Sequence, residues 1–459
     1  MAQTGRQYEA VVFGATGYTG KLTAEYITAN LPTDFKWAIA GRSESKLQAL
    51  AKQLQSQNPN RPQPSIEVAQ LEKADLLRLA KTTKVLITTV GPYHKYGSAV
   101  VEACAETGTH YLDVTGEVPW VHDMVNKYHE KAKSTGAIII PQNGIESAPT
   151  DLMCWALVAH TRRTLGVGTG EIIYSIHDLN ASASGGTLST VLTLFDSFSL
   201  LDLSKSFSRW ALSTVTPPQQ SYSTPIYERL TGLRTEADLG GLLTDSIQGP
   251  TDIPLVHRSW SLYEGGELYG PHFHLSPYMR AKSHLHGLLV HFGLTFGFLA
   301  LIFPPVRWLL QRLVTQPGDG PSKEYVHPPK TPPLTSFHPT KIKNKKKKKK
   351  KKKSQILTLP PLHSNRQASK EYVEWRAIAH ADVTDPSDPK RVSGRMRYDG
   401  SMYFLTGMLL AEAAITIARD EKTLAHSLGG GVLTPATLGE PYLERVKKGG
   451  LKTEIRMMP

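Results

Sequence analysis

The sequence predicts an α/β protein, a doubly wound parallel sheet followed by a second, α+β domain. Three observations carry this. The apolar, β-branched run Ala10 to Phe13 reads as a buried strand and leads directly into Gly14, Gly17 and Gly20, at three-residue spacing, before a helical pattern starts. Strands and helices then alternate through residue 150, the mark of parallel strands joined by right-handed crossovers. From about Asp151 the texture changes and the alternation ends. Residues 1–150 are therefore expected to form a Rossmann-type dinucleotide-binding domain. Residues 151–284 together with 369–459 are expected to form the second, substrate and dimerisation domain, which makes a homodimer an expectation.

The glycine turn justifies the first strand and helix. Gly14 permits a sharp exit from the strand, Gly17 lets the backbone approach a pyrophosphate, and Gly20 lets the helix pack close to the sheet. The N–H groups and positive dipole end of that helix then face the phosphates. A second strand, Trp37 to Ala40, ends in GRSESKL. Where an acidic residue would bind a ribose 2′-hydroxyl, Arg42, Ser43 and Lys46 follow, and these suit a 2′-phosphate. NADP(H) is thus the expected cofactor, with NAD(H) the alternative.

The next elements are a helix over 43–55, a short strand in SIEVAQL ending near Ala69, and a helix around Leu76 to Ala80. The strand Val85 to Val90 runs into Gly91, Pro92 and Tyr93, and the turn from Gly91 to Tyr96 should lie beside the nicotinamide half of the cofactor. A helix over 99–106, a strand over 110–114, a helix over 119–134 and a strand over 137–140 complete the domain. Beyond it the periodicity predicts a helix over 151–160 and a strand over 171–179. Between Leu201 and Met279 the pattern is poor. Strands over 373–383 and 392–397 and an amphipathic helix over 402–418 follow.

Composition narrows the function. The +13 formal charge looks like a nucleic-acid signal until it is located. Residues 322–368 hold 13 Lys and one Arg against Glu324 alone, leaving 39 basic and 39 acidic residues elsewhere, so no nucleic-acid partner is expected. This stretch, with the unbroken run Lys345 to Lys353 between proline-rich flanks, reads as a disordered insertion. SKEYV stands at 322–326 and again at 369–373, and cutting from the first copy to the second restores continuous strand text. The N-terminal residues lack the apolar core of a secretory signal, which predicts a protein on the cytoplasmic side, not secreted. Cys104 and Cys154 belong to no metal-ligand cluster, and no metal is expected.

Within residues 285–315, the run 288–303 (LLVHFGLTFGFLALIF) is apolar and ends at two prolines before Arg307 and Arg312. Sixteen helical residues span about 24 Å, short of a ~30 Å hydrocarbon core. A buried core helix and an insertion into a membrane or lipid-droplet surface compete, with a full span third.

Together GATGYTG, AGRSESKL, TTVGPY, YLDVTGE and NGIESAPTDL resemble, in order, the saccharopine dehydrogenase-like oxidoreductases, with the bacterial trans-acting enoyl reductases as relatives. The resemblance covers the chain apart from the lysine insertion. It implies a nucleotide site built from Gly14, Thr16, Gly17, Gly20, Arg42 and Ser43, and a lipid-linked substrate. The expected activity is NAD(P)H-dependent reduction of a carbonyl or enoyl group on an apolar substrate. The rival reading is an inactive lipid-droplet or membrane scaffold that keeps the nucleotide fold. For the proton donor, the turn offers Tyr93 and His94, and the next strand end offers Glu117. The one Tyr-x-x-x-Lys match, Tyr278 to Lys282, lies far beyond the nucleotide domain and is read as coincidence.

Overall fold

The computed structural model describes residues 5–181, 193–215, 224–264, 266–313, 371–383, 390–420 and 422–459. The insertion at 322–368 and the first SKEYV copy lie outside the described residues.

A parallel sheet runs through the first domain. Its strands are β1 (Tyr8–Phe13), β2 (Trp37–Gly41), β3 (Ser65–Val68), β4 (Thr83–Thr88), β5 (His110–Leu112) and β6 (Ile138–Ile140). They lie in the order 6-5-4-1-2-3, the doubly wound arrangement that leaves a crevice beyond the carboxyl ends of β1 and β4. Both faces are covered, so β1 is apolar at consecutive positions. Ala10 and Val12 enter one core, while Val11 and Phe13 enter the other. The connecting helices are α1 (Tyr18–Asn30), α2 (Glu44–Gln57), α3 (Lys73–Thr82), α4 (Tyr93–Tyr96), α5 (Ser98–Thr107) and α6 (Val118–Thr135).

Helix α7 (Ala148–Leu165) leads into the second domain. It starts three residues before the position expected from the apolar pattern, because Ser147 takes the N-cap position and Pro149 fits the first turn. The second sheet is mixed. Its central strands are β7 (Thr169–Asn180), β10 (His274–Arg280) and β11 (Tyr372–Ala381). Strands β8 (Arg234–Glu236), β9 (Gly241–Asp245), β12 (Arg391–Asp399) and β14 (Lys452–Met457) flank them. The second SKEYV copy ends inside β11, where excision would restore a strand.

The carboxyl-terminal residues do not all join the second domain, as the sequence suggested. β11, β12 and β14 belong to its sheet, but β13 (Gly431–Val432) pairs with β6 and extends the first sheet to seven strands. The helix Met402–Arg419 lies against α1 on the first sheet. It is buried nearly all round rather than amphipathic, because α1 packs on one side and Gly439–Lys448 on another. A Cβ on Gly407 would stand 2.9 Å from the backbone nitrogen of Thr23. The Tyr26 hydroxyl donates to Glu412 at 2.8 Å, and Arg419 clamps Glu9 with contacts of 2.7 and 2.9 Å. One core thus runs continuously from the first sheet through α7 and this helix to the second sheet.

Candidate active site

The crevice at the carboxyl ends of β1, β2, β4, β5 and β6 gathers most of the residues singled out in the sequence. Gly14 adopts φ +83°, a conformation that disfavours a side chain. Its carbonyl accepts from the Gly17 N–H at 2.9 Å, closing the turn. A Cβ on Gly20 would sit 2.4 Å from that carbonyl oxygen and 2.8 Å from the Thr89 hydroxyl, so the turn, α1 and the end of β4 meet where only hydrogen fits. Gly17 and the half-buried Thr16 form the outer lip, and Gly17 is the N-cap of α1, with no side chain covering the helix end. This is the geometry that receives a pyrophosphate.

At the end of β2, Arg42 and Lys46 are exposed, and among the described residues neither makes a side-chain hydrogen bond or ion pair. Ser43 occupies the N-cap of α2 without capping it, its hydroxyl lying 3.2 Å from that of Ser45. Two cations and a hydroxyl thus remain available to an anionic group at the helix start.

At the end of β4 the Gly91–Pro92 turn leads into α4, with Pro92 as its N-cap. Glu117 organises this end. Its carboxylate is 1% exposed and accepts from the backbone N–H groups of Tyr93 at 2.8 Å and His94 at 2.7 Å, where charge at a helix start is favoured. It also accepts from the His94 ring, whose Nδ1 lies at 2.6 Å. With Nδ1 committed, His94 Nε2 is buried and has no hydrogen-bond partner among the described residues. Phe198 lies edge-on to the ring, centroids 6.2 Å apart.

The three candidate proton donors therefore differ. The Tyr93 hydroxyl donates to the Thr88 carbonyl at 3.2 Å and receives the Val114 N–H at 3.4 Å. Burial raises its pKa well above the ordinary phenol value. Tyr93 is a packing group tying β4 to β5. Glu117 is an orienting group, with three donors satisfied. His94 alone presents an uncommitted proton-carrying atom. Tyr278 lies in β10 of the second sheet, its hydroxyl 3.3 Å from Glu228, remote from this crevice.

Sequence reasoning passed over two residues after β6. Glu146 reaches solvent just before α7, and a Cβ on Gly116 would lie 3.6 Å from its carboxylate. The placement of IES at the carboxyl end of a parallel strand was a signal for it. Gln142 lies at φ +61° and is fully buried, which no sequence pattern discloses. Asp113 links these pieces. Its Oδ1 accepts the backbone N–H groups of Thr115 and Gln142, both at 2.9 Å, and Tyr111 donates to Oδ2 at 2.7 Å. Burial pushes its carboxyl up to about 7.

Segment 193–199 joins this site to a distant surface. At one end Phe198 stands over His94. At the other, Phe195 meets Phe298 with ring centroids 5.2 Å apart, and Asp196 accepts from Arg307 at 2.9 Å. Phe298 belongs to the helix His284–Leu301, which holds all but the last two residues of the apolar run and has only Gly287 buried, the others being exposed or half-buried. Leu289 is 66% exposed and Phe296 62%. Among the described residues nothing covers this stretch as a core would. Its first half is fixed to the second domain by the Thr244 hydroxyl donating to the Gly287 carbonyl at 2.9 Å and by His291 beside Asp245 at 2.6 Å.

Residues 10–140 match the saccharopine dehydrogenase NADP-binding domain family. A trans-acting enoyl reductase of Mycobacterium tuberculosis is 31% identical over 98% of this chain and 98% of its own. The chain belongs to the saccharopine dehydrogenase-like oxidoreductases, alongside the trans-acting enoyl reductases. A second such relative, from Mycobacterium ulcerans, is 27% identical over 98% of each chain. Among solved structures, a short-chain dehydrogenase of Mycobacterium ulcerans is similar over 30% of this chain and 66% of its own, with 11% identity and a TM-score of 0.25. As a member of this family the protein is an oxidoreductase that binds NADP(H). The glycine turn, the open start of α1 and the uncommitted Arg42 and Lys46 fit that cofactor.

Proposed function

We propose that the protein uses NADPH to reduce a carbonyl or enoyl group on an apolar, acyl or lipid-linked substrate, with His94 as the proton donor. The observation that carries this is the His94 ring itself, anchored through Nδ1 on Glu117 while Nε2, at the expected nicotinamide end of the crevice, has no partner among the described residues. Bound NADPH supplies the hydride, and its phosphates would rest on Gly14 to Gly17, with Arg42 and Lys46 at the 2′-phosphate. His94, protonated, gives its Nε2 proton to the atom that gains negative charge, and Glu117 keeps the Nδ1 proton in place afterwards. The name of the relatives, trans-acting enoyl reductase, favours an enoyl group over a ketone.

The test is NADPH oxidation by purified protein with medium-chain enoyl thioesters, beside a His94→Phe variant. The variant should lose on the order of 10²–10⁴-fold in rate, while NADPH affinity stays near wild type. Full activity in the variant would remove His94 from the mechanism, and absence of turnover with every enoyl and keto substrate would favour the scaffold reading.

The exposed helix supports a lipid surface as the partner. Leu285, Leu289, Phe292, Phe296 and Phe303 are all exposed, followed by Arg312, whose guanidinium stacks 3.8 Å from the exposed Trp308 ring centroid. Aromatic residues beside cations suit the boundary of an anionic lipid layer. The full chain should float with anionic vesicles, and replacing Leu289, Phe292 and Phe296 with Ser should abolish flotation. Unchanged flotation would eliminate this helix as the anchor.

A further inference from the structure

We infer that Gln142 binds the carboxamide of the nicotinamide ring, so that this residue selects the reactive half of the dinucleotide. Three independent features of Gln142 point there. Its φ of +61° is the left-handed conformation, which disfavours a residue with a Cβ and persists only where the surroundings enforce it. The enforcing contact is Asp113, whose Oδ1 holds the Gln142 N–H at 2.9 Å. Next, the side chain is fully buried, yet both Oε1 and Nε2 of the amide have no hydrogen-bond partner among the described residues. One unmet buried polar group is already unfavourable, and this side chain has two. Lastly, Gln142 follows β6 at the carboxyl edge of the parallel sheet, beyond β4 and β5 on the side away from Arg42.

The unmet pair consists of one acceptor and one donor. A primary carboxamide offers one donor and one acceptor in the complementary order, so two amides satisfy each other where a single phosphate, carboxylate or ketone satisfies only half. The position agrees with this chemistry. Asp113 Oδ1 that fixes Gln142 also fixes Thr115, whose hydroxyl accepts the Glu117 N–H at 3.0 Å, and Glu117 holds His94. One chain of hydrogen bonds thus places the unsatisfied amide and the proton donor on a common frame. The amide is sealed from water, so the inference requires the crevice to open around the dinucleotide when it binds.

The inference rests on NADP(H) binding, and the experiment keeps the two apart. Affinities of NADPH, of its 3-acetylpyridine analogue and of 2′,5′-ADP, which lacks the nicotinamide, are measured by titration on the full chain. Wild type, Gln142→Gly and Gln142→Glu are compared. Glycine relieves the backbone at this φ, so the first variant folds at least as well as wild type. Expected is a roughly tenfold loss for NADPH in both variants, the equivalent of one to two neutral hydrogen bonds, with 2′,5′-ADP bound as before. Wild type should also prefer NADPH to the acetylpyridine analogue, and Gln142→Gly should not. Unchanged NADPH affinity, or an equal loss for NADPH and 2′,5′-ADP, would overturn the inference. Failure of wild type to bind 2′,5′-ADP would instead overturn the dinucleotide site itself.

Discussion

Glu117 Oε2 lies 2.6 Å from His94 Nδ1 and 2.7 Å from the His94 backbone nitrogen, so one carboxylate oxygen fixes both the ring and the peptide of the same residue. Removing the charge loosens both. Glu117→Gln turns one acceptor into a donor facing N–H groups, and the chain should lose about 1–3 kcal/mol of stability. Turnover should fall with it, while 2′,5′-ADP binding, which depends on the other end of the crevice, is retained. Thermal melting and fragment titration check the two halves. A variant with normal turnover would show that the orientation of His94 has no catalytic weight.

Arg42 separates the two dinucleotides. A guanidinium on a 2′-phosphate contributes about 1.5–3 kcal/mol that NADH cannot supply. Arg42→Asp should therefore weaken NADPH roughly tenfold to a hundredfold and leave NADH unaffected or slightly better bound. Equal losses would mean that Arg42 packs on the adenine and does not read the phosphate.

Gly20→Ala tests the turn. Its Cβ would meet the Gly14 carbonyl at 2.4 Å and the Ala15 Cα at 2.8 Å, both backbone atoms with no freedom to yield. The expected cost is about 1–3 kcal/mol with loss of NADPH binding. At Gly17 the nearest atom is 3.2 Å away, so Gly17→Ala should fold better than Gly20→Ala yet still impair binding. NADPH bound with wild-type affinity by Gly20→Ala would mean the cofactor lies elsewhere.

Asp113 gives an unusual pH dependence. In the unfolded chain its carboxyl ionises near about 3.9, whereas burial in the folded protein pushes it up to about 7. Between those values the folded state holds the extra proton. The Asp113 contribution to stability is therefore greatest at the acid end, falls as pH rises through this window, and is constant above it. Asp113→Asn keeps the shape and removes the titration. Its stability relative to wild type should improve by on the order of a few kcal/mol between about pH 5 and about pH 8. A difference independent of pH, measured by denaturant unfolding, would show that Asp113 does not carry this linkage.

Phe198 packs edge-on beside the His94 ring. Phe198→Ala should speed acylation of His94 by diethyl pyrocarbonate several-fold, with the modified residue identified by peptide mapping. Unchanged labelling would mean that other groups seal the ring.

Much of the first domain is legible because its physics is local. Strands such as β1 and β4 are continuous β-branched runs, and the glycine turn follows from sterics. The second domain resists reading between Leu201 and Met279 for equally physical reasons. β8 has three residues and β9 five, too few to set a period. The helix Gly249–Leu262 carries Pro254 inside it and buries Asp252, His257, Arg258 and Ser259, so no apolar stripe marks it. β13 has only two residues, and its place beside β6 depends on a chain reversal far along the sequence. At the site, residue types announced Arg42 and His94. That Glu117 serves as a cap, and that Gln142 is strained and unpaired, are properties of tertiary contacts alone.

The strap from Phe195 to Phe198 gives the apolar helix a second significance. Its attachment points, Phe195 and Asp196 to Phe298 and Arg307 on the outer side and Phe198 to His94 on the inner, lie within four residues of one another. Under the proposed function, an acyl chain bound along that helix would press on the same short segment that packs beside the His94 ring, so occupancy of the helix and exposure of the imidazole would be felt at the same four residues.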